Sequence, residues 1–154
     1  MEAAQRQALE QVHAAWRRFT GALERVPRER MEEPGVVGPW SVKDLVGHVS
    51  TWEAETMGAL RRLQRGEGEA RYPDVDSFNA REVERKRGLS LERLLGELEC
   101  THRELLAFLE GLPAALLAEG GYGRRRVAQD TYEHYLEHTA DLERWLEASA
   151  ARGA

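Results

Sequence analysis

The 154-residue sequence has a single cysteine, Cys100, and only two lysines, Lys43 and Lys86. One cysteine excludes an intrachain disulfide and any zinc or iron–sulfur site built from several cysteines. Apolar runs are only a few residues long, so no segment is predicted to span a bilayer and we expect no membrane partner. The charged N-terminus lacks an apolar stretch before a cleavage site, which predicts no secretory signal and a cytoplasmic protein.

Positive charge is also in short supply. Lys and Arg number 22 against 27 Asp and Glu, which gives a formal net charge of −5. This balance argues against a protein that binds nucleic acid by neutralising phosphates, so we predict no nucleic-acid partner. Arg124, Arg125 and Arg126 form a short basic run that a first helical turn would disfavour. We therefore expect the run in a loop, or facing an anionic substrate at the mouth of the fold.

The residues that are present suffice for one hydrophobic core. Hydrophobic residues make up 42% of the chain and charged residues 32%, and no Pro/Gly/Ser linker separates two regions. The length matches one ordinary domain. We predict a single domain over residues 1–154.

Apolar residues recur at steps of three and four, the period of an α-helix. The first stripe comprises Leu9, Val12, Trp16, Phe19, Leu23 and Val26, and Pro27 follows it. A second helix is predicted to begin after the N-cap Ser41, with Asp44 as its capping-box partner, and to end before Gly66.

Two more long helices and one short one complete the pattern. A short polar helix from Ser77 to about Arg87 is predicted with Asp76 as its cap, and a third long helix begins after Ser90. The last helix runs to about Ser149, and its start is open between a cap at Asp130 and a helix that already includes Arg124. We predict an all-α four-helix bundle with a long crossover connection between the second and third long helices, so that the topology need not be simple up-down-up-down.

Three of the five histidines are predicted to face the interior. His134 and His138 share one helix face at i, i+4, and His48 faces inward from the second helix. If the two helices enter the bundle from the same end, the three imidazoles meet. Three neutral nitrogens with open positions beside them would bind a divalent metal ion, and such ligands suit zinc, nickel or iron(II) better than magnesium or calcium.

An alternative interpretation is that the histidines are packed, hydrogen-bonded core residues. That interpretation is preferred for His102, which we place midway along the third long helix as a packed residue at the edge of the core, while His13 is predicted to face solvent. Cys100 falls on the far side of its helix and is assigned no role.

Two motifs carry a resemblance to a known family. The segment Trp40-Ser41-Val42-Lys43-Asp44-Leu45-Val46-Gly47-His48, followed by Trp52-Glu53, resembles the opening of the second helix of the DinB/YfiT-like superfamily. His134-x3-His138 resembles the motif of its last helix, and the region from Asp76 to Pro113 is similar to the ClbS/DfsB-like branch. The resemblance implies a DinB-like bundle whose metal ligands are His48, His134 and His138.

The sequence departs from the family pattern after the last histidine, where Ala140-Asp141 replaces a frequent Gly-Gln. Asp141 is a candidate acceptor for an imidazole N–H, or else a polar boundary residue.

The resemblance also implies classes of function. Members with the three histidines resemble metal-dependent transferases that use bacillithiol or mycothiol, including maleylpyruvate isomerase-like proteins, or metal-dependent hydrolases. The chain is then expected to use a divalent ion, and in the first class a low-molecular-weight thiol, on a small electrophilic substrate, and to form a homodimer. The alternative is a non-enzymatic bundle that sequesters a small molecule or acts as a stress-related interaction protein.

Other side chains near the histidines are candidates for supporting roles. Trp40, Trp52 and Tyr135 are candidates for the pocket wall, although plain packing is the preferred interpretation for Trp52. The Tyr135 hydroxyl is a candidate to reach the open metal positions. Asp130 is a candidate base, whereas Glu53 and Glu137 are predicted to lie off the centre of the core.

Overall fold

The computed structural model describes residues 1–153, which form helices and loops without a β-strand. The α-helices are α1 (Ala3–Glu24), α2 (Val42–Gln64), α3 (Val75–Lys86), α4 (Leu91–Gly111), α5 (Tyr122–Val127) and α6 (Glu133–Gly153). Short 3-10 turns at Arg28–Arg30 and Ala114–Leu117 and a π-helical segment at Ala128–Tyr132 complete the secondary structure.

The three C-terminal segments are one continuous helix, which we call the last helix. Val127, Ala128 and Glu133, at the two junctions, all have right-handed helical backbone angles. The last helix therefore begins at Tyr122, and of the two predicted starts the one that includes Arg124 is correct. The prediction of a loop for the three arginines is wrong, because the run lies in the first turns of this helix.

Contacts at the helix ends fix the direction of α1. Gln5, in its first turn, donates through Nε2 to the carbonyl of Leu109 at the end of α4, at 2.8 Å, so α1 and α4 are antiparallel. Arg124, at the start of the last helix, donates to the carbonyl of Ala4 at 2.9 Å, so α1 and the last helix are parallel.

The helices α2 and α4 are parallel neighbours. Gly47 faces Leu94 near the start of both, and Glu53 meets His102 farther along both. A Cβ added at Gly47 would come within 3.2 Å of the Lys86 side chain, so glycine permits close packing here.

The last helix runs antiparallel to α2. Thr56 contacts Asp130, whereas His48, which comes earlier on α2, contacts His134, which comes later on the last helix. The four long helices thus follow an up-down-down-up order, which confirms the predicted four-helix bundle and its crossover between α2 and α4.

Apolar side chains from all four helices fill the interior, as their spacing predicts. Phe19, Leu45, Leu105 and Leu142 are fully buried. Burying each such side chain stabilises the fold by about 1.5–3 kcal/mol before entropy is counted.

The crossover, residues 65–90, contains α3, which packs on α2. The side chain of Asp74 accepts from the backbone N–H of Ser77 at 3.1 Å, so Asp74 caps α3. The prediction of Asp76 as the cap is wrong, because Asp76 follows the true cap and lies inside the first turn of α3.

Two polar contacts fasten α3 to α2. The indole N–H of Trp52 donates to Asn79 Oδ1 at 2.8 Å. At the other end of α3, Lys86 Nζ donates to the Gly47 carbonyl at 3.0 Å and to Ser50 Oγ at 3.1 Å.

Over residues 1–153, none of the helices combines the length and the apolar character needed to cross a bilayer.

Candidate metal centre

The imidazoles of His48, His134 and His138 converge between α2 and the last helix. His134 Nε2 lies 2.9 Å from His48 Nε2 and 2.9 Å from His138 Nε2. One ligand atom from each histidine lies within 4.8 Å of the others, an arrangement that could hold a metal ion. All three side chains are buried.

The histidines meet by a route that differs from the predicted one. The convergence was predicted on the condition that α2 and the last helix enter the bundle from the same end, but they are antiparallel. The rings still meet because the last helix begins at Tyr122, so His134 lies well inside it, opposite the second turn of α2.

Local structure places His48 and its aromatic neighbour. Ser41 Oγ accepts from the Asp44 backbone N–H, and Asp44 Oδ2 accepts from that of Ser41, both at 3.1 Å, as the predicted capping box requires. Directly before the cap, a tight loop holds the ring of Trp40 4.8 Å from that of His48, measured between centroids.

The donor set fits a metal ion. Asp141 Oδ2 lies 2.9 Å from His138 Nδ1, which assigns the ring proton to Nδ1 and leaves a lone pair on Nε2. His134 Nε2 faces two other Nε2 atoms but carries at most one proton, so it can donate to only one of them. A cation between the rings would use all three lone pairs at once.

Burial favours the neutral form of His48 and of His134, the form that metal ligation requires. Burial, together with the charges of His138 and Lys86, lowers the pKa of His48 to about 3. Burial also lowers the pKa of His134 well below its ordinary value, helped by the other two histidines.

The three histidines line an open pocket of about 500 Å³ between α2, α3 and the last helix. Trp40 lines it, as expected, and so does Trp52, for which plain packing was the preferred interpretation. The crossover adds Tyr72 and Asn79. This volume is in the range of small-molecule sites.

Of the three consecutive arginines, only Arg126 lines the pocket. Its Nη2 atom forms an ion pair with Asp130 Oδ2 at 2.6 Å, and that oxygen accepts a hydrogen bond from Thr56 Oγ1 at 2.9 Å. Burial raises the pKa of Asp130 to about 6, against the opposing charge of Arg126. Arg125 instead bonds the carbonyl of Gly120.

The family model of the DinB superfamily matches residues 11–141 of this sequence. The chain belongs to the DinB superfamily. The resemblance stated from its two motifs is therefore confirmed. No curated protein matches the chain by sequence.

Three solved structures share the DinB fold of this chain. An uncharacterised protein from Escherichia coli UTI89 superposes with a TM-score of 0.80 at 17% identity, covering 97% of this chain and 96% of that one. The colibactin self-resistance protein ClbS, in complex with a dsDNA, gives 0.78 at 16% identity, covering 93% and 95%. DfsB, a sibling lethal factor precursor, gives 0.79 at 14% identity, covering 97% and 98%.

The ClbS structure corrects one prediction. Net negative charge led us to exclude a nucleic-acid partner, yet a protein with the same DinB fold has been solved on double-stranded DNA. Net charge describes the average over a surface, whereas binding depends on local charge. The exclusion is therefore wrong.

Tyr135 does not face the pocket of this DinB-superfamily chain. It follows His134 and so lies about 100° farther round the helix. Its hydroxyl is fully buried and donates to Glu53 Oε1. The expectation that this hydroxyl reaches the metal positions does not hold.

Glu53 and His102 form a buried pair that the sequence analysis missed. Glu53 is fully buried, and its Oε1 lies 2.9 Å from His102 Nδ1. The ring of Trp16 stacks on that of His102, with centroids 3.6 Å apart. We had placed Glu53 off the core centre and His102 at the boundary. The signal was present, since Glu53 continues the stripe of Leu45 and Val49 at steps of four.

Proposed function

We propose that this chain is a metal-dependent enzyme in which His48, His134 and His138 hold one divalent ion. Zinc or nickel is preferred over iron. The reaction is thiol transfer to, or hydrolysis of, a small electrophile. The observation that carries the proposal is the convergence of three buried Nε2 atoms at the wall of an open pocket. A divalent ion with open positions, when bound, lowers the pKa of a thiol or water and makes a nucleophile near neutral pH.

The surrounding residues of the chain prepare the histidines for this role. Asp141 keeps the proton of His138 on Nδ1, so that Nε2 is free to bind. Trp40 covers one side of His48 and keeps water from that side of the ring. Trp52, held by Asn79, forms another part of the wall.

Asp130 is the carboxylate best suited to accept a proton in the pocket. It lines the cavity, and burial raises its pKa to about 6, so its carboxylate can take up a proton and release it near neutral pH. Glu137 lines the same cavity but is exposed.

The chain brings no thiol of its own to the pocket. Its single cysteine, Cys100, is exposed on α4 and is not among the pocket residues. In the thiol-transfer form of the proposal, a low-molecular-weight thiol therefore enters from solution.

Metal content tests the proposal. In protein purified without added metal and measured by mass spectrometry, we expect about one divalent ion per chain. His134→Ala should lose the ion, because it removes the nitrogen that lies between the other two. His13→Ala is the matched control, since His13 is exposed on α1.

Bound metal that stays at the same level in His134→Ala would contradict the proposal. With metal established, a panel of low-molecular-weight thiols and water against model electrophiles, with and without chelator, separates transferase from hydrolase.

A second candidate is a resistance protein that binds its target without metal chemistry. The likeness to ClbS, a self-resistance protein solved with dsDNA, favours it. It predicts that binding of its ligand or of dsDNA is unchanged in His134→Ala and in the presence of chelator. Fluorescence anisotropy with a labelled duplex measures the dsDNA binding.

A further inference from the structure

Arg126 shares a helix face with the metal centre. Arg126, Asp130, His134 and His138 recur every four residues along the last helix, and all line the same pocket. On a regular α-helix, four residues overshoot a full turn by about 40°, so such a row drifts round the helix. The wider π turn at Ala128–Tyr132 turns less per residue, which opposes this drift.

The Arg126 guanidinium is buried and its hydrogen bonding is incomplete. Its side chain is only 9% exposed, and Nε and Nη2 are buried without a hydrogen-bond partner. Asp130 supplies opposite charge at 2.6 Å from Nη2, but that contact is not aligned as a hydrogen bond. Buried N–H donors without acceptors are costly, so a native protein that keeps them usually has a reason.

Arg126 is the buried positive charge of the pocket, and aromatic rings and exposed acids share the pocket with it. Its Cζ lies 5.2 Å from the ring centre of Tyr72 and 5.8 Å from that of Trp52, within the range of cation–π contacts. Two other acids of the lining, Asp76 and Glu137, are exposed, where water and salt screen their charges.

We propose that Arg126 binds a carboxylate of the substrate, so that the substrate is a small electrophile bearing a carboxylate. This identification of the substrate class rests on the proposed function for its reacting end. A carboxylate entering the pocket offers the acceptors that the guanidinium lacks, and the planar fork of arginine pairs with both oxygens. Two charge-assisted hydrogen bonds offset the small reorientation of a flexible side chain. Asp130, whose Oδ2 lies 2.6 Å from Nη2, stays beside the guanidinium as its counter-ion.

Carboxylate binding by matched arginine variants tests the proposal. The probe is benzoate, with the neutral benzamide as its isostere, titrated into the full chain by calorimetry at fixed ionic strength. We expect the Kd of benzoate to rise at least tenfold in Arg126→Gln and to stay within twofold in Arg125→Gln, which removes the same charge from the adjacent, exposed position. Benzamide should bind all three proteins with equal weakness. Equal benzoate affinity in the two variants, or benzamide binding as tight as benzoate, overturns the proposal.

A measurement on the unaltered chain covers the case in which Arg126→Gln does not fold. Among the arginine Nε–Hε resonances of the wild-type protein, we expect benzoate but not benzamide to shift one that is missing from the Arg126→Lys spectrum. Benzoate titration without such a shift overturns the proposal.

The variant His134→Ala separates this proposal from that of the metal centre. We expect it to lose the ion but to keep benzoate binding that depends on Arg126. If His134→Ala keeps its metal, the proposed function fails while the arginine variants still decide the carboxylate site. If the metal is lost as expected and the affinity for benzoate does not depend on Arg126, only the proposal of the carboxylate site fails.

Discussion

Glu53 is a carboxyl group placed in the core among the aromatic and imidazole rings of α1, α4 and the last helix. Its Oε1 accepts from the Tyr135 hydroxyl and lies beside His102 Nδ1, while its Oε2 is buried without a partner. Burial raises the pKa of Glu53, although the hydrogen bonds from His102 and Tyr135 oppose the shift. The folded protein therefore holds a proton on Glu53 above the pH at which the unfolded chain releases it.

This difference predicts a pH-dependent contribution to stability. As the pH rises above the ordinary value of 4.5, the unfolded chain loses the proton first, so the free energy of unfolding falls until the pH passes the raised pKa. Glu53→Gln keeps an acceptor for Tyr135 but cannot titrate. We expect the thermal midpoint of this variant, minus that of the wild type, to increase as the pH rises from 4.5. Differential scanning fluorimetry measures both midpoints. A constant difference between the two proteins across that range would contradict this account.

The contrast between the three clustered histidines and the pair Glu53–His102 shows what one sequence can predict about single residues. The inward direction of His134 and His138 follows from their spacing on one helix, which is local information. The pairing of Glu53 with His102 depends on α2 and α4 being parallel neighbours. Nothing in the spacing of either helix specifies its neighbour.

At the scale of helices, the start of α2 is fixed by the capping box of Ser41 and Asp44. We expect Ser41→Ala to reduce the free energy of unfolding by about 1 kcal/mol, because the Asp44 backbone N–H loses its acceptor. Urea denaturation measures the change. Ser41→Thr keeps a hydroxyl and is the control, so a loss of equal size in both variants would assign the effect to packing instead.

The two helix starts with a serine cap were predictable, and the π segment was not. Ser41 and Ser90 both accept from a backbone N–H three residues on, as predicted. The last helix begins after Gly121 without a side-chain cap, so its start gave no such signal. The π segment at Ala128–Tyr132 depends on which side chains must share a face in the folded bundle, so a search for regular helical spacing does not detect it.

At the scale of the whole molecule, the crossover covers the pocket because Lys86 fastens it. Lys86 is buried, and besides Gly47 and Ser50 it contacts Glu97 Oε1 on α4 at 2.5 Å. One side chain thus joins α3, α2 and α4. The crossover in turn supplies Tyr72 and Asn79 to the pocket.

We expect Lys86→Ala to release the crossover. The change leaves the Gly47 carbonyl and Glu97 without their partner, and we expect a loss of about 2 kcal/mol in the free energy of unfolding. Limited proteolysis should cut residues 65–90 sooner than in the wild type. Arg85→Ala, at an exposed position of the same helix, should cut like the wild type. Equal cleavage of both variants would show that Lys86 does not hold the crossover.

The order of the helices was only partly predictable. Long apolar stripes predict four long helices, and the long connection after α2 predicts a crossover. The up-down-down-up order follows from contacts between distant residues, such as Gln5 with Leu109, that the pattern of one segment cannot reveal.

The separation of the clustered imidazoles along the chain has a thermodynamic consequence. His48 and His134 are 86 positions apart, so any species bound by both acts as a cross-link that closes a long loop. Closing that loop in the unfolded chain would be entropically unfavourable, whereas the native bundle already holds the two histidines together. Such a species binds the native state preferentially and protects it by mass action. The supply of that species would then govern how long the native protein persists.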